Sequence, residues 1–394
     1  MVKSIKVMLL PNNKQKTKMF QCAGSARFAY NWAIAKQQEN YANGLNFIQE
    51  NELRKEFTKI KKTEKYSWLN DISNNVTKQA IKDSCIAYIN FFNKKSETPK
   101  FKRKNKTIPK FYQDTNNIKF NSTHVKLEKL TTSKKQNKQK MNWIKLAEKN
   151  RIPFGDNVKY INPRVSFDGL NWWISVGIEF KDIIYNNKEK TEGIGIDLGI
   201  KDFVICSNNN TYPNINKTKN ILKIEKKKNR IQRKIDKKYL KNKKGESYCK
   251  TKNIIKLEKE LLKVYQRLTN IRQNYQYKII SDIIKQNPSF ITIENLNIAG
   301  MMKNKHLSKS VKDQSFYNFT RKIQYKCEWN GIELRKVSRF FPSSKLCCVC
   351  GNIKKDLKLS DRIYICNLCG NQIDRDYQAS LNLRDAKEYV VIVN

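Results

Sequence analysis

Cys347-Cys-Val-Cys350 and Cys366-Asn-Leu-Cys369, followed at once by Gly-Asn-Gln-Ile-Asp374-Arg375-Asp376, form the stretch on which the fold of this chain turns. Two CxxC pairs separated by fifteen residues set four soft ligands at the bite that tetrahedral Zn²⁺ needs, which predicts one ion held by Cys347, Cys350, Cys366 and Cys369. Four sulfurs fill the coordination sphere, so such a site is structural and leaves no position for a reacting water. Catalysis has to lie elsewhere.

The acids beside this stretch are the first candidates. Asp374 and Asp376 flank Arg375 ahead of the helix-like run Ala379 to Ala386, where by themselves they would be N-terminal helix acids favoured by the macrodipole. Upstream, two more acids end strand-like runs: Asp197 in Gly193-Ile-Gly-Ile-Asp-Leu-Gly199 and Glu294 in Ile291-Thr-Ile-Glu-Asn-Leu296. A carboxylate in a glycine-flanked apolar strand is costly to bury without a cation, which makes Mg²⁺ the natural partner of Asp197. A second reading stays open, because Gly-Ile-Asp-Leu-Gly also opens the phosphate-binding strand of the actin and heat-shock ATPases. In those proteins threonines usually follow, whereas here the chain continues Ile200-Lys-Asp-Phe203. Otherwise three carboxylates in this order suggest a two-metal nuclease.

Charge points to the partner. Lysine and arginine number 80 against 35 aspartates and glutamates, a net charge of +45 that would repel the folded state unless a polyanion answers it. Nucleic acid is the expected partner, with Lys100, Lys102, Arg103 and Lys104 of the basic link and Arg230 and Arg233 as candidate contacts. No apolar run approaches membrane-spanning length, so the expectation is a soluble, intracellular protein of the cytoplasm or nucleoid, or of the nucleus in a eukaryotic host, with no membrane partner. Cys22, Cys85, Cys206, Cys249, Cys327 and Cys348 are scattered without a framework, as suits a reducing compartment. With His124 and His306 the only histidines, neither a histidine-dependent HNH site nor a Ser-His-Asp triad has support.

At 394 residues the chain is long enough for several modules. Helical periodicity marks Gln21 to Gln38 and Val76 to Phe92, and a basic, aromatic-interleaved link, Pro99-Lys-Phe-Lys-Arg-Lys-Asn-Lys106, follows. Strand patterns then take over: Arg164 to Phe167, an Asp168-Gly169 turn, and Trp172, Ile174, Val176, Ile178 and Phe180 alternating onto one face. The polar segment Lys181 to Glu192 reads as a boundary. Between Asp197 and Glu294, Ile254, Leu257, Leu261, Val264, Leu268, Ile271 and Tyr275 recur at three and four spacing, a seam that needs a partner helix, expected within Ile221 to Tyr239.

Taken in order, these residues resemble the TnpB family of transposon-encoded, RNA-guided nucleases, relatives of miniature type V CRISPR effectors. The resemblance runs nearly end to end through Arg27-Phe-Ala-Tyr-Asn31, Phe91-Phe92 with Pro99-Lys-Phe-Lys102, Asp197 in its glycine-flanked strand, Glu294-Asn-Leu, Ser343-Ser-Lys-x-Cys-x2-Cys-Gly351 and Asp374-Arg-Asp. It implies a multidomain α+β fold: a helical recognition lobe and a β-barrel wedge domain, then an RNase H-like (RuvC) α/β domain with a zinc-ribbon insert. The implied divisions are a first wedge strand in 1–12, the helical lobe in 13–98, the wedge barrel in 99–185, RuvC in 190–341 with a basic helical hairpin in 217–287, the ribbon in 342–371 and the rest of RuvC in 372–394. It also implies Asp197, Glu294 and Asp376 as catalytic acids, the last because it precedes the segment Tyr377-Gln378-Ala379-Ser380, with Asp374 close enough to be the alternative. Two Mg²⁺ ions would serve one site cutting both strands of target double-stranded DNA, chosen by a guide RNA beside a short target-adjacent motif. A nuclease-silent RNA-guided repressor and a strand-joining transposase are the functions from other classes that the sequence leaves in play. It does not fix the oligomeric state.

Overall fold

The computed structural model describes residues 2–104, 106–131, 133–155, 157–180, 189–358 and 361–392. Two compact units divide the chain, Met1–Asp182 and Ile183–Asn394. Most of the boundary segment expected at 181–192, its residues 181–188, lies outside the described residues.

In the first unit a strand, Val2–Leu10, leads straight into a 30-residue helix, Asn13–Ala42. Asn12 starts that helix with a capping box: its side chain accepts from the Gln15 N–H, and the Gln15 side chain accepts from the Asn12 N–H. Helices Glu50–Ile60 and Asn74–Phe92 follow, and then a seven-stranded antiparallel sheet in which Val2–Leu10 is central, between Trp172–Glu179 and Trp143–Leu146. Phe120, on the last strand of the sheet, touches Tyr160, five strands away, with ring centroids 4.8 Å apart. In a flat sheet five steps would separate them by roughly 24 Å, so the sheet curls back on itself as a barrel does. The hairpin expected around Asp168-Gly169 forms between Tyr160–Phe167 and Trp172–Glu179, with Trp172, Ile174, Val176 and Ile178 buried. Helices and sheet share one continuous apolar core.

Two sequence signatures meet in this unit. The Asn31 amide donates to the Lys102 carbonyl at 2.9 Å and accepts from the Lys102 N–H at 2.8 Å, while the Lys102 ammonium lies over the Tyr30 ring, 3.1 Å from its centroid. Arg27-Phe-Ala-Tyr-Asn31 is thus the dock for Pro99-Lys-Phe-Lys102.

The second unit is built on a six-stranded sheet in the order Thr211–Pro213, Asp202–Cys206, Ile194–Leu198, Phe290–Ile293, Glu333–Lys336, Val390–Val391. The three strands Ile194–Leu198, Phe290–Ile293 and Glu333–Lys336 run parallel and the outer ones antiparallel. Helices Lys219–Lys241 and Lys252–Lys285 connect its halves and pair through Ile221, Ile224, Ile231 and Ile235 against Leu261, Val264 and Leu268. Tyr275, at the end of the expected seam, packs on the core of the sheet instead. Helix Arg375–Arg384 lies directly on strand Ile194–Leu198. Gly195 makes this possible, because a Cβ there would stand 2.0 Å from the Ser380 carbonyl oxygen and 2.4 Å from the Arg384 nitrogen. Gly193 and Gly199 are also tightly enclosed, since a Cβ would stand 2.1 Å from the Phe290 ring at the first and 2.7 Å from the Asp202 carbonyl oxygen at the second, so each glycine around Asp197 answers to close packing, and Gly195 alone to packing of helix on strand.

Candidate active site and metal centre

Asp197 lies near the end of its strand, and Glu294 follows the end of the neighbouring parallel strand, whose Thr292 is in register with Gly195. Alternation along a strand puts Asp197 with Gly195 and Glu294 with Thr292 on the face that the Arg375–Arg384 helix covers. That helix brings Asp376 in its first turn. The three acids, some 180 residues apart in the chain, come within electrostatic reach of one another. Burial pushes the Asp197 carboxyl well above its ordinary value, and the charges of Glu294 and Asp376 push it further, against the pull of Arg375. Glu294 is raised as well, by burial first, with the Ser343 hydroxyl opposing and Asp376 adding to the rise.

Two carboxylates next to a third, two of them desolvated by burial, amount to a trap for cations. In the protein alone, part of that role falls to arginines. Arg375 reaches the Asp376 carboxylate at 3.2 Å, and Arg362, from the ribbon, stands 3.7 Å from its other oxygen. The Ser343 hydroxyl donates to Glu294 Oε1. Ser343 is held in turn by the buried Asn382, whose amide donates to the carbonyls of Ser343 (2.7 Å) and Leu346 (2.6 Å). The helix that carries Asp376 thereby fixes the segment that orients Glu294.

Asp374 does something else. It is the N-cap of the helix, and its Oδ1 accepts from the N–H groups of Asp376 (3.0 Å) and Tyr377 (2.9 Å). Its carboxylate faces the helix end, and Asp376, not Asp374, acts on Asp197 and Glu294.

The four cysteines close on one point, every Sγ within 4.8 Å of the others, with Cys347 to Cys369 at 3.7 Å and Cys350 to Cys366 at 3.5 Å. Tetrahedral sulfurs at 2.3 Å from zinc stand about 3.8 Å apart, so the set fits that ion. Each knuckle aims backbone N–H groups at its first sulfur. The Cys366 thiol is pulled down to about 6, chiefly by the N–H of Cys369, which favours the thiolate that metal needs. Cys348 stands outside the cluster, with the Asn371 amide 3.8 Å from its sulfur. Strands Ile363–Ile365 and Gln372–Asp374 pair into the ribbon and run into the Asp376 helix without a gap, so the ribbon sets where that helix begins.

Of the predicted nucleic-acid contacts, Arg103, Lys104, Arg230 and Arg233 are exposed, and Lys100 is exposed while pairing with Glu97 at 2.8 Å. Lys102 is turned inward onto Tyr30, and burial lowers its ammonium to about 8. The sequence reading assigned no role to Ser343, Arg362, Arg375 or Asn382. Ser343 stood in a quoted signature, but nothing in its spacing says that it meets Glu294.

Three family models match the chain: a helix-turn-helix domain over residues 1–45, a probable transposase over 175–305 and a Cas12f1-like TNB domain over 316–383. Residues of the first fold here as a strand and one unbroken helix up to Ala42. A candidate RNA-guided DNA endonuclease of Streptomyces pristinaespiralis is 26% identical over 381 residues, covering 97% of this chain and 88% of that protein. InsQ of Escherichia coli strain K12, also described as a candidate RNA-guided DNA endonuclease, is 25% identical over 405 residues, 99% of this chain and 93% of its own. Among solved structures, the Cas12f1 chain of a complex with sgRNA and target DNA superposes with a TM-score of 0.60 at 14% identity, over 98% of this chain and 99% of that one. At that identity the superposition speaks for the fold. No described helix is long and apolar enough to cross a membrane. Family models spread along the chain and full-length relatives agree that the chain is similar to the TnpB family, and the shared architecture agrees in fold.

Proposed function

We propose that this protein is an RNA-guided DNA endonuclease, encoded by a transposon, that uses a guide RNA to recognise target double-stranded DNA beside a short motif and cuts both strands at one RuvC-type site. The observation that carries the proposal is the convergence of Asp197, Glu294 and Asp376, with the charges of Glu294 and Asp376 opposing that of Asp197, on a sheet of RNase H-like order. Hard carboxylate oxygens suit Mg²⁺, and the three acids would hold two such ions. Bound there, Mg²⁺ supplies water activation and charge neutralisation at the scissile phosphodiester. The chain's own residues do the positioning. Ser343 fixes the rotamer of Glu294, Asn382 holds Ser343, and the Asp374 cap sets the first turn from which Asp376 projects. Arg375 and Arg362 hold Asp376 in place before metal arrives. Zinc on the four cysteines has a structural part, holding the ribbon against the helix start.

The relatives' names, which describe RNA-guided DNA endonucleases, support the guided reading, and so does a charge of +45 that a duplex alone does not require. The test is cleavage of a plasmid library by protein purified with its co-purifying RNA, and again after ribonuclease and high-salt stripping. Mg²⁺-dependent double-strand cuts specified by that RNA, lost on stripping and restored on adding it back, are expected. Undiminished sequence-specific cutting by the stripped protein would overturn guidance in favour of a transposase. Guided binding without any cutting would leave a repressor.

A further inference from the structure

Gly24 is the odd glycine of this molecule. Seven of the thirteen glycines take positive φ, where a side chain would be strained. Gly177, Gly193, Gly195, Gly199 and Gly300 would each press a Cβ to 3.1 Å or closer against a neighbour. Gly24 does neither. It sits inside the helix Asn13–Ala42, and a Cβ built on it meets nothing within 4 Å. Glycine is second only to proline as a poor helix former, so the residue weakens its helix with no return inside the protein. Glycine in such a place has its use when another molecule's backbone comes close.

The surroundings say what that molecule is. Thr17, Phe20, Gln21, Gly24 and Arg27 recur at three and four spacing, one stripe of the helix, and this stripe forms a wall of an open cleft of about 830 Å³. Lys104 and Lys106 of the basic link stand on the other wall. Phe20 is 43% exposed and is propped edge-on by Phe167 and Trp172 at 5.1 and 4.9 Å. The one acid of the lining, Asp168, is engaged by the N–H groups of Leu170 and Asn171 and by the indole of Trp173, so it has a structural task of its own. Cations, hydroxyls, a propped aromatic face and a bare stretch of helix make a seat for a sugar-phosphate strand with a base stacked on the ring.

We propose that this cleft seats one strand of the guide RNA, with ribose and phosphate lying over Gly24, a base on Phe20, and phosphates on Arg27, Lys104 and Lys106. The proposal rests on the guided reading above. RNA is favoured over target DNA because a chain of +45 needs its polyanion before any target is met, and because threonine hydroxyls can pair with a 2′-hydroxyl.

The experiment compares wild type, Gly24→Ala and Gly24→Leu as full-length, RNA-stripped proteins at one salt concentration. The probes are the labelled RNA that co-purifies with the wild type and a labelled duplex DNA of random sequence. Alanine should raise the melting temperature of the RNA-free protein by about 2 to 4 °C, since it restores helix propensity in open space. Yet RNA affinity should fall, about threefold for alanine and about tenfold or more for leucine, with duplex affinity unchanged. Stability and binding moving in opposite directions is the signature that a purely structural glycine would not give. Equal RNA affinity in all three proteins overturns the seat while leaving guidance intact. A loss confined to duplex DNA makes the occupant DNA and overturns the RNA assignment. A wild type that binds no RNA removes the guided reading and this seat with it.

Discussion

The four cysteines and the three acids are both gatherings of residue types that can hold metal, yet they are assembled in different ways. The cysteines gather within 23 residues, two local turns facing each other, so their spacing nearly dictates their geometry. The acids gather across roughly 180 residues, from two parallel strands and a helix that returns only after the ribbon is complete. The first thiol of each ribbon knuckle is prepared by backbone N–H groups of its own turn, as Cys366 is by Cys369. The carboxylates act in the opposite sense, since Glu294 and Asp376 make ionisation of Asp197 harder and Asp376 does the same to Glu294. Zinc would complete the fold in the first region. In the second, Mg²⁺ would relieve a repulsion that the fold creates.

The sharpest break of this comparison is Asp197→Asn, which should abolish cleavage and yet stabilise the protein when no Mg²⁺ is added. Asp197 has a raised carboxyl value in the folded state, so its contribution to stability is present at low pH and is lost as pH rises from the unfolded carboxylate range through the folded value. The variant's advantage in melting temperature should therefore grow from pH 5 to pH 8. Adding Mg²⁺ should raise the melting temperature of wild type and not of the variant, because only a state that binds the ion gains from it. A variant less stable than wild type at pH 8 without Mg²⁺ would mean that the acids do not strain one another.

Next in size is Cys366→Ser with Cys369→Ser. Zinc should drop from one ion per chain to none by elemental analysis, since structural zinc carries about 10 to 16 kcal/mol in zinc-finger peptides and two sulfurs cannot hold it. Cleavage should fall with it, because the ribbon runs directly into the Asp374 cap. Guide RNA binding by the first unit should persist. Unchanged zinc in the double variant would place the ion elsewhere.

The two regions also differ in how far the sequence discloses them. The meeting of the four cysteines is legible because local spacing and local geometry are nearly the same thing over a CxxC turn. For the acids the sequence shows which residues end strands, and resemblance supplies the grouping, but Ser343 and Asn382 act through contacts made only after the sheet, ribbon and last helix are together. The glycines around Asp197 illustrate the limit. Read locally they are compatible with a phosphate loop, and only the Ser380 carbonyl 2.0 Å from a Gly195 Cβ shows that Gly195 admits a helix. Lys102 was read as a phosphate contact from its basic neighbours, yet Tyr30 and Asn31, some 70 residues away, draw it inward. Tertiary context decided each of these.

The smallest predicted effect tests the finest division in the site, that between Asp374 and Asp376. Two acids two residues apart can serve different ends because a helix cap lies outside the helix and its carboxylate turns back on the first free N–H groups, whereas a first-turn side chain projects away from the axis. Asp374→Ala removes a cap and should cost about 1 kcal/mol, with a melting shift of about 2 to 4 °C in a unit of this size. Cleavage should survive at a somewhat reduced rate, since the ribbon strand still delivers the helix. Asp376→Asn keeps the cap, and the lost pairing with Arg375 and Arg362 is offset by relief of repulsion on Asp197 and Glu294, so stability should change by no more than about 0.5 kcal/mol. Cleavage should nonetheless vanish. Thermal melts beside plasmid cleavage separate the two acids. If Asp374→Ala is inactive at full stability while Asp376→Asn cuts, the roles are exchanged and the ligand to metal lies two residues earlier.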